Sequence, residues 1–210
     1  MECQQDRAMR QTVNRAGLAT PDGMPLVWLG RWWGHRDVTR VYGPDLMLAV
    51  CENSIEPGYS HYFYGGAAGV PELLATKLQQ RYPGLKIAGT YSPPFRPLSP
   101  AENSQIITQI NQAQADIIWV GLGTPKQDLW MAAHRHQLTA PVLIGVGAAF
   151  DFHTGRIPQA PSWMQQNGLE WLFRLWQEPK RLWYRYLVYN PLFIMLVAAQ
   201  WLKLRRYTLD

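Results

Sequence analysis

The chain has 210 residues and 47% apolar residues, enough for one domain with an appendage and a real core. Its two cysteines, Cys3 and Cys51, offer no disulfide framework and no metal-ligand spacing, which fits a reducing cytoplasm. The net charge of +5 is uneven: residues 1–169 carry thirteen Lys/Arg against twelve Asp/Glu, and residues 170–210 carry seven against three.

Residues 2–16 predict a helix, with Met9, Val13 and Ala16 at helical spacing and Gly17 as the stop. This N-terminal stretch is polar and has no signal-peptide apolar run. Pro21-Asp22-Gly23 is a turn, and residues 24–33 predict a short helix. Pro44 opens another, ending near Pro57-Gly58. His61 to Tyr64 reads as a strand running into Gly65-Gly66. A helix over Pro71–Tyr82, a strand over Lys86–Tyr91 and a proline-rich loop over Ser92–Pro97 follow. Ser99-Pro100-Ala101-Glu102 is a capping box opening a helix to about Ala113. Asp116–Val120 is a buried strand. Thr124-Pro125-Lys126-Gln127 repeats the capping pattern before a helix to about Gln137, and Pro141–Val146 is a further buried strand. Asp151 and His153 are placed at a turn after it.

Strand–helix–strand repeats with continuous apolar strands predict an α/β fold, a Rossmann-like parallel sheet covered by helices. Ligands of such sheets bind at the carboxyl ends of the strands. Three glycine-rich loops leave those ends: Gly65-Gly66-Ala67-Ala68-Gly69, Gly121-Leu122-Gly123-Thr124-Pro125 and Gly145-Val146-Gly147-Ala148. The first two lead into helix N-termini, which attract phosphate through free N–H groups and the helix dipole. A phosphate-bearing ligand follows. A dinucleotide-binding dehydrogenase does not, because no G-x-G-x-x-G follows the first strand with an acidic residue about 20 positions on.

The last forty-one residues combine their basic excess with Trp171, Trp176, Trp183, Trp201, Tyr184, Tyr186, Tyr189 and Tyr207. Trp and Tyr favour the membrane–water interface, and Lys and Arg the anionic headgroups. The most apolar stretch, Pro191 to Trp201, is about half of the roughly 20 residues that a spanning helix needs. Arg185 precedes it and Lys203, Arg205 and Arg206 follow, so the tail is expected to lie on the bilayer. Its long aliphatic run, Leu192 to Ala199, argues against a nucleic-acid groove. The predicted organisation is a core over 1–168 and a basic aromatic appendage over 169–210.

Gly121-Leu122-Gly123-Thr124-Pro125-Lys126-Gln127-Asp128 resembles the G-x-P-x-Q-E signature of the WecG/TagA/CpsF family, glycosyltransferase family 26. Pro21-Asp22-Gly23, Arg40-x-x-Gly43, Tyr64-Gly65-Gly66, Gly147 to Gly155, Ala160-Pro161, Gly168-Leu169-Glu170-Trp171 and Arg174 through Pro179-Lys180-Arg181 continue the resemblance over about residues 8–200. It implies an inverting glycosyltransferase that moves an N-acetylmannosamine-type or related sugar from a UDP-sugar to an undecaprenyl-diphosphate-linked acceptor. It also implies a Rossmann-like core with a C-terminal appendage seated on the cytoplasmic face of the plasma membrane. Such proteins usually begin with a further strand–helix–strand unit bearing a Thr-x-Asn element. This chain starts after it, which leaves open a fragment, a misplaced start codon or a degenerate paralogue that binds a nucleotide sugar or a partner transferase without turnover. Asp128 stands where the family usually has Glu.

The resemblance assigns Asp22 as the base that takes the acceptor hydroxyl's proton, a role that partial burial would favour. It places Arg40 near the active site and Gln127 against sugar or acceptor. Gln127 at a capping-box position has a second reading, a bond back to Thr124. Gly65, Gly66, Gly123, Thr124, Pro125 and Gly147 are expected around the donor, with Asp151 near the nucleotide and His153 structural. No Asp-x-Asp occurs, so no metal cofactor is expected. Arginines would neutralise the leaving diphosphate. Beside Arg40 the candidates are Arg174, Arg181 and Arg185, which share one face of a continuous helix and diverge if Pro179 breaks it. A homo-oligomer stays open.

Overall fold

The computed structural model describes residues 1–205; Arg206 and Tyr207 of the tail, with the residues after them, lie outside the described residues. The elements in chain order are α1 (Glu2–Gln5), α2 (Arg7–Asn14), α3 (Met24–Trp32), α4 (Gly43–Asn53), β1 (Ser60–Gly65), α5 (Val70–Arg81), β2 (Lys86–Tyr91) and α6 (Pro100–Gln112). They continue with β3 (Ile117–Gly121), α7 (Lys126–His134), β4 (Val142–Gly145), α8 (Ala149–Thr154), α9 (Ser162–Gln166), α10 (Glu170–Gln177) and α11 (Pro179–Trp201). Two compact units emerge. One is residues 41–158; the other joins residues 1–40 to the chain from Gln159 on.

The 41–158 unit is the expected α/β sheet. Its four strands run parallel in the order β2-β1-β3-β4. Successive side chains of a strand point to opposite faces, and the sequence uses both. Phe63, Ile117 and Trp119 pack with Met47 and Cys51 of α4, Leu74 and Leu78 of α5, and Phe150 of α8. Tyr62, Tyr64, Ile118 and Val120 pack on the other face with Ile106, Ile107 and Ile110 of α6. His61 is fully buried on the first face, stacked between Phe63 and Trp119. Its Nδ1 accepts the Trp119 indole N–H at 2.8 Å. Burial pushes its pKa down to about 4, so it sits in the core as a neutral ring. The capping box at Ser99 forms as expected, its hydroxyl accepting from the Glu102 N–H while the Glu102 carboxylate accepts from the Ser99 N–H.

Several boundaries differ, each for a local reason. The first predicted helix is two, because Asp6 accepts from the Ala8 and Met9 N–H groups and restarts the helix as an N-cap. The segment Pro141–Val146 is not a fully buried strand. Its core, β4, is an edge strand, and Val142 is exposed. Asp151 and His153 lie within α8 rather than at a turn; the helix closes at Gly155, whose φ of +77° suits glycine.

In the second unit the tail is two helices. α10 stops at Glu178 and α11 begins with Pro179, whose missing N–H is tolerated in the first turn. α11 then continues through Pro191 for 23 residues, twice the apolar length expected from Pro191 onward. By length and composition alone it could cross a bilayer.

Candidate active site

In the 41–158 unit the three glycine-rich loops leave the carboxyl ends of neighbouring strands, β1, β3 and β4. The close approach of their backbones explains the glycines. Gly65 has φ +126°, and a Cβ there would meet the Gly121 carbonyl carbon at 2.6 Å. The Gly66 N–H donates to the Gly121 oxygen at 3.0 Å. Gly145 leaves room for the Gln127 side chain, since a Cβ would sit 2.8 Å from its Nε2. Ser92, after β2, donates its hydroxyl to the Gly66 carbonyl at 2.8 Å and ties a fourth loop in.

Gln127 is buried and reaches across the edge rather than back to Thr124: its Oε1 accepts the Gly147 N–H at 2.9 Å. The capping pattern expected at Thr124 does not form. Pro125 takes the N-cap place without a side-chain cap bond, after a cis Thr124–Pro125 peptide. The Thr124 side chain instead hydrogen-bonds the Asp128 carboxylate. Burial raises the pKa of Asp128 despite that bond, and its Oδ2 is buried without a partner. The sequence gives Asp128 no role; only its place after Gln127 in the signature marks it. Asp151 lies 3.6 Å from Arg156. His153 donates from Nε2 to the Pro44 carbonyl at 3.0 Å, and burial lowers its pKa. Those contacts give it the structural place expected. A hollow of about 460 Å³ lies elsewhere, beside the C-terminal half of α5, where its Lys77 is held by the Thr154 carbonyl.

In the other unit the structure brings Asp22 and Arg40 together. Arg40 donates from Nε to the Asp22 carbonyl at 2.5 Å, and its Nη2 lies 3.8 Å from the Asp22 carboxylate. The same Nη2 is 2.6 Å from Glu170, at the start of α10. Arg40 and Glu170 are largely buried, whereas the Asp22 side chain is 68% exposed. The partial burial that would favour a base is absent at Asp22, which sits in open chain before α3. Gly168, two residues before Glu170, passes close against α3. Its φ is +69°, and a Cβ would meet the Trp28 ring of α3 at 2.8 Å. Sequence reasoning placed Glu170 in a motif but did not pair it with Arg40, since a contact 130 residues apart leaves no spacing signal.

The tail arginines do not share one helix. Arg174 is on α10; Arg181 and Arg185 are on α11. Arg181 is exposed and paired with Glu178 at 2.5 Å, and Arg185 lines a shallow hollow of about 250 Å³ with Met1, Glu2 and Tyr189. Among the described residues no three His, Cys, Asp or Glu side chains group as a metal-ligand set.

The chain matches the model of the Glycosyl transferase WecG/TagA/CpsF family over residues 1–207. It is 31% identical to the N-acetylglucosaminyldiphosphoundecaprenol N-acetyl-beta-D-mannosaminyltransferase of Bacillus subtilis (strain 168), over 84% of this chain and 67% of that protein. It is 28% identical to the protein of the same name from Bacillus spizizenii, over 86% of this chain and 68% of that one. The chain belongs to the WecG/TagA/CpsF family of glycosyltransferases.

Proposed function

We propose that the chain transfers an N-acetylmannosamine-type sugar, with inversion, from a UDP-sugar to an undecaprenyl-diphosphate-linked acceptor in cell-surface polysaccharide synthesis. The observation that carries this reading is the 31% identity, over most of this chain, to a protein named for transferring an N-acetyl-beta-D-mannosaminyl group to N-acetylglucosaminyldiphosphoundecaprenol.

Asp22 takes the proton of the acceptor hydroxyl as it attacks the anomeric carbon. Its exposed carboxylate is reachable by an acceptor, and a carboxylate in hydrogen-bond reach contributes as a general base. Arg40 stabilises charge that develops on the departing diphosphate, a task for which a guanidinium's fork of donors is suited. Arg174, Arg181 and Arg185 bind phosphate groups of donor or acceptor. Gly65, Gly66, Gly123, Thr124, Pro125 and Gly147 shape the donor site, and Gln127 sets the spacing of two of its loops. Asp151 stands beside the nucleotide. With arginines as the counter-charge and no Asp-x-Asp in the sequence, transfer runs without a divalent metal. It should survive saturating EDTA; loss restored by Mg²⁺ or Mn²⁺ would overturn that.

The protein works on the cytoplasmic face of the plasma membrane, with the tail lying on it. Seventeen residues separate Arg185 from Lys203, about 26 Å of helix at 1.5 Å per residue, short of a hydrocarbon core of about 30 Å. The test is incubation with a panel of UDP-sugars and a short-chain lipid-diphosphate acceptor. Product with the UDP-N-acetylmannosamine type and inverted anomeric configuration is expected. Donor binding without turnover across the panel would replace this reading with a non-catalytic one.

A further inference from the structure

α3 presents an unusual face. At 3.6 residues per turn, Trp28, Trp32, Pro25, Leu29, Trp33 and Leu26 follow one another round an arc of about 160°. Trp33 ends the helix as its C-cap. Leu29 is half-buried and the other five are exposed, with Trp32 at 60% and Trp33 at 51%. No charge interrupts the arc. The buried residue of the helix, Val27, and the glycine packed on Val38, Gly30, lie on the opposite side. Three neighbouring exposed tryptophans are more than the scattered apolar residues that surfaces normally carry.

The arc is continuous with the tail. The Trp32 and Trp201 rings lie 5.8 Å apart, and Trp201 ends α11 beside the exposed Leu202, Lys203 and Leu204. Exposed Arg31 and Arg36 flank the arc at the end of α3, with Asp37 the acidic residue there. Amphipathic aromatic rings bordered by lysine and arginine match an anionic lipid interface, where the rings sit at headgroup depth.

We infer that the α3 arc is a second lipid-contact surface, which seats on an anionic bilayer together with the end of α11. This rests on the membrane seat proposed for the tail and adds to it a separate element. Two helices on one interface also fix orientation, which a single amphipathic helix free to roll does not.

The full chain is tested on vesicles of phosphatidylglycerol and phosphatidylcholine. Trp32→Ser with Trp33→Ser should weaken co-sedimentation by roughly tenfold or more, since each ring carries large interfacial area. The circular dichroism spectrum should stay unchanged, with the melt lowered only by the lost Trp32–Trp201 ring contact. An unperturbed-fold control is Leu26→Cys in a Cys3→Ser background, labelled with an environment-sensitive dye; its emission should shift to the blue on vesicle addition. If the tryptophan variant binds as wild type does and the dye does not respond, the inference fails while the tail's own seat stands. If the wild-type chain ignores the vesicles, the membrane seat itself fails. If the variant only converts a dimer to a monomer, a second copy covers this face and the lipid assignment is overturned.

Discussion

The two units solve different problems with similar material. Among the described residues, 24 of the 28 buried apolar side chains lie in the 41–158 unit, and 17 of the 21 large exposed ones lie in the other. The first unit hides its apolar residues on both faces of a sheet. The second leaves tryptophans, leucines and tyrosines in solvent, and its described interactions lean on ion pairs and ring contacts such as Arg40–Glu170, Trp32–Trp201 and Trp171–Tyr186. Burial of apolar surface stabilises a fold by about 25 cal/mol per Å². The second unit leaves far more of that surface uncovered than the first does. The glycine-rich edge belongs to the unit with the buried core; Asp22, Arg40 and the tail belong to the unit with the exposed apolar side chains.

The sharpest way to break that contrast is to empty the core. Phe150 is 1% exposed, meets the Phe63 ring edge-on at 5.9 Å, and lies where a Cβ on Gly121 would collide with it. Phe150→Ala should destabilise the 41–158 unit by about 3–5 kcal/mol, read by urea unfolding. It should also loosen the first two loops. A loss under about 1 kcal/mol would show that the two-faced core is not what holds the sheet.

The next effect is the acid response of the same unit. The folded His61 pKa of about 4 lies below its ordinary 6.5. Between those values the unfolded chain holds a proton that the folded chain refuses, so stability falls as pH drops from 6.5 towards 4, by up to about 3 kcal/mol. His61→Phe keeps a ring in the stack and should flatten that part of the profile. An unchanged pH slope in the variant would assign the acid loss to other groups.

Much of the first unit was legible in the sequence, and the reason is local. Continuous apolar runs at Phe63 and Ile117–Val120, the Ser99 capping box and the glycine loops are short-range signals, and each formed within a residue or two of its expected place. The errors were also local competitions: Asp6 capping inside a helical run, Thr124 bonding Asp128 rather than a backbone N–H, β4 at an edge. The second unit was less legible. Its decisive contacts join residues 18 to 169 positions apart, Asp22 to Arg40, Arg40 to Glu170 and Trp32 to Trp201, and no periodicity records them.

On the catalytic side, Asp22→Asn keeps the shape of the turn and removes the base. Turnover should fall by roughly 100-fold or more with donor affinity little changed. Near-wild-type turnover would remove Asp22 from the role proposed for it and leave the exposed unit with docking alone.

The smallest effect sharpens the comparison most, because it asks whether an ion pair does for one unit what a core does for the other. Glu170 holds the Arg40 guanidinium at 2.6 Å while Arg40 grips the Asp22 carbonyl. Glu170→Gln keeps a hydrogen-bond acceptor and removes the charge. A charge-assisted bond is about twice as strong as a neutral one, so Arg40 should be held less firmly without being released. Turnover should drop by about tenfold, a loss of about 1.4 kcal/mol of transition-state stabilisation, with the donor KM nearly constant. Glu170→Asp keeps the charge on a shorter arm and should recover part of the rate. A variant that loses thermal stability in proportion to rate, and that Asp does not rescue, would make Glu170 a brace for α10 and nothing more. A variant with full rate would show that Arg40 needs no partner to keep its place beside Asp22.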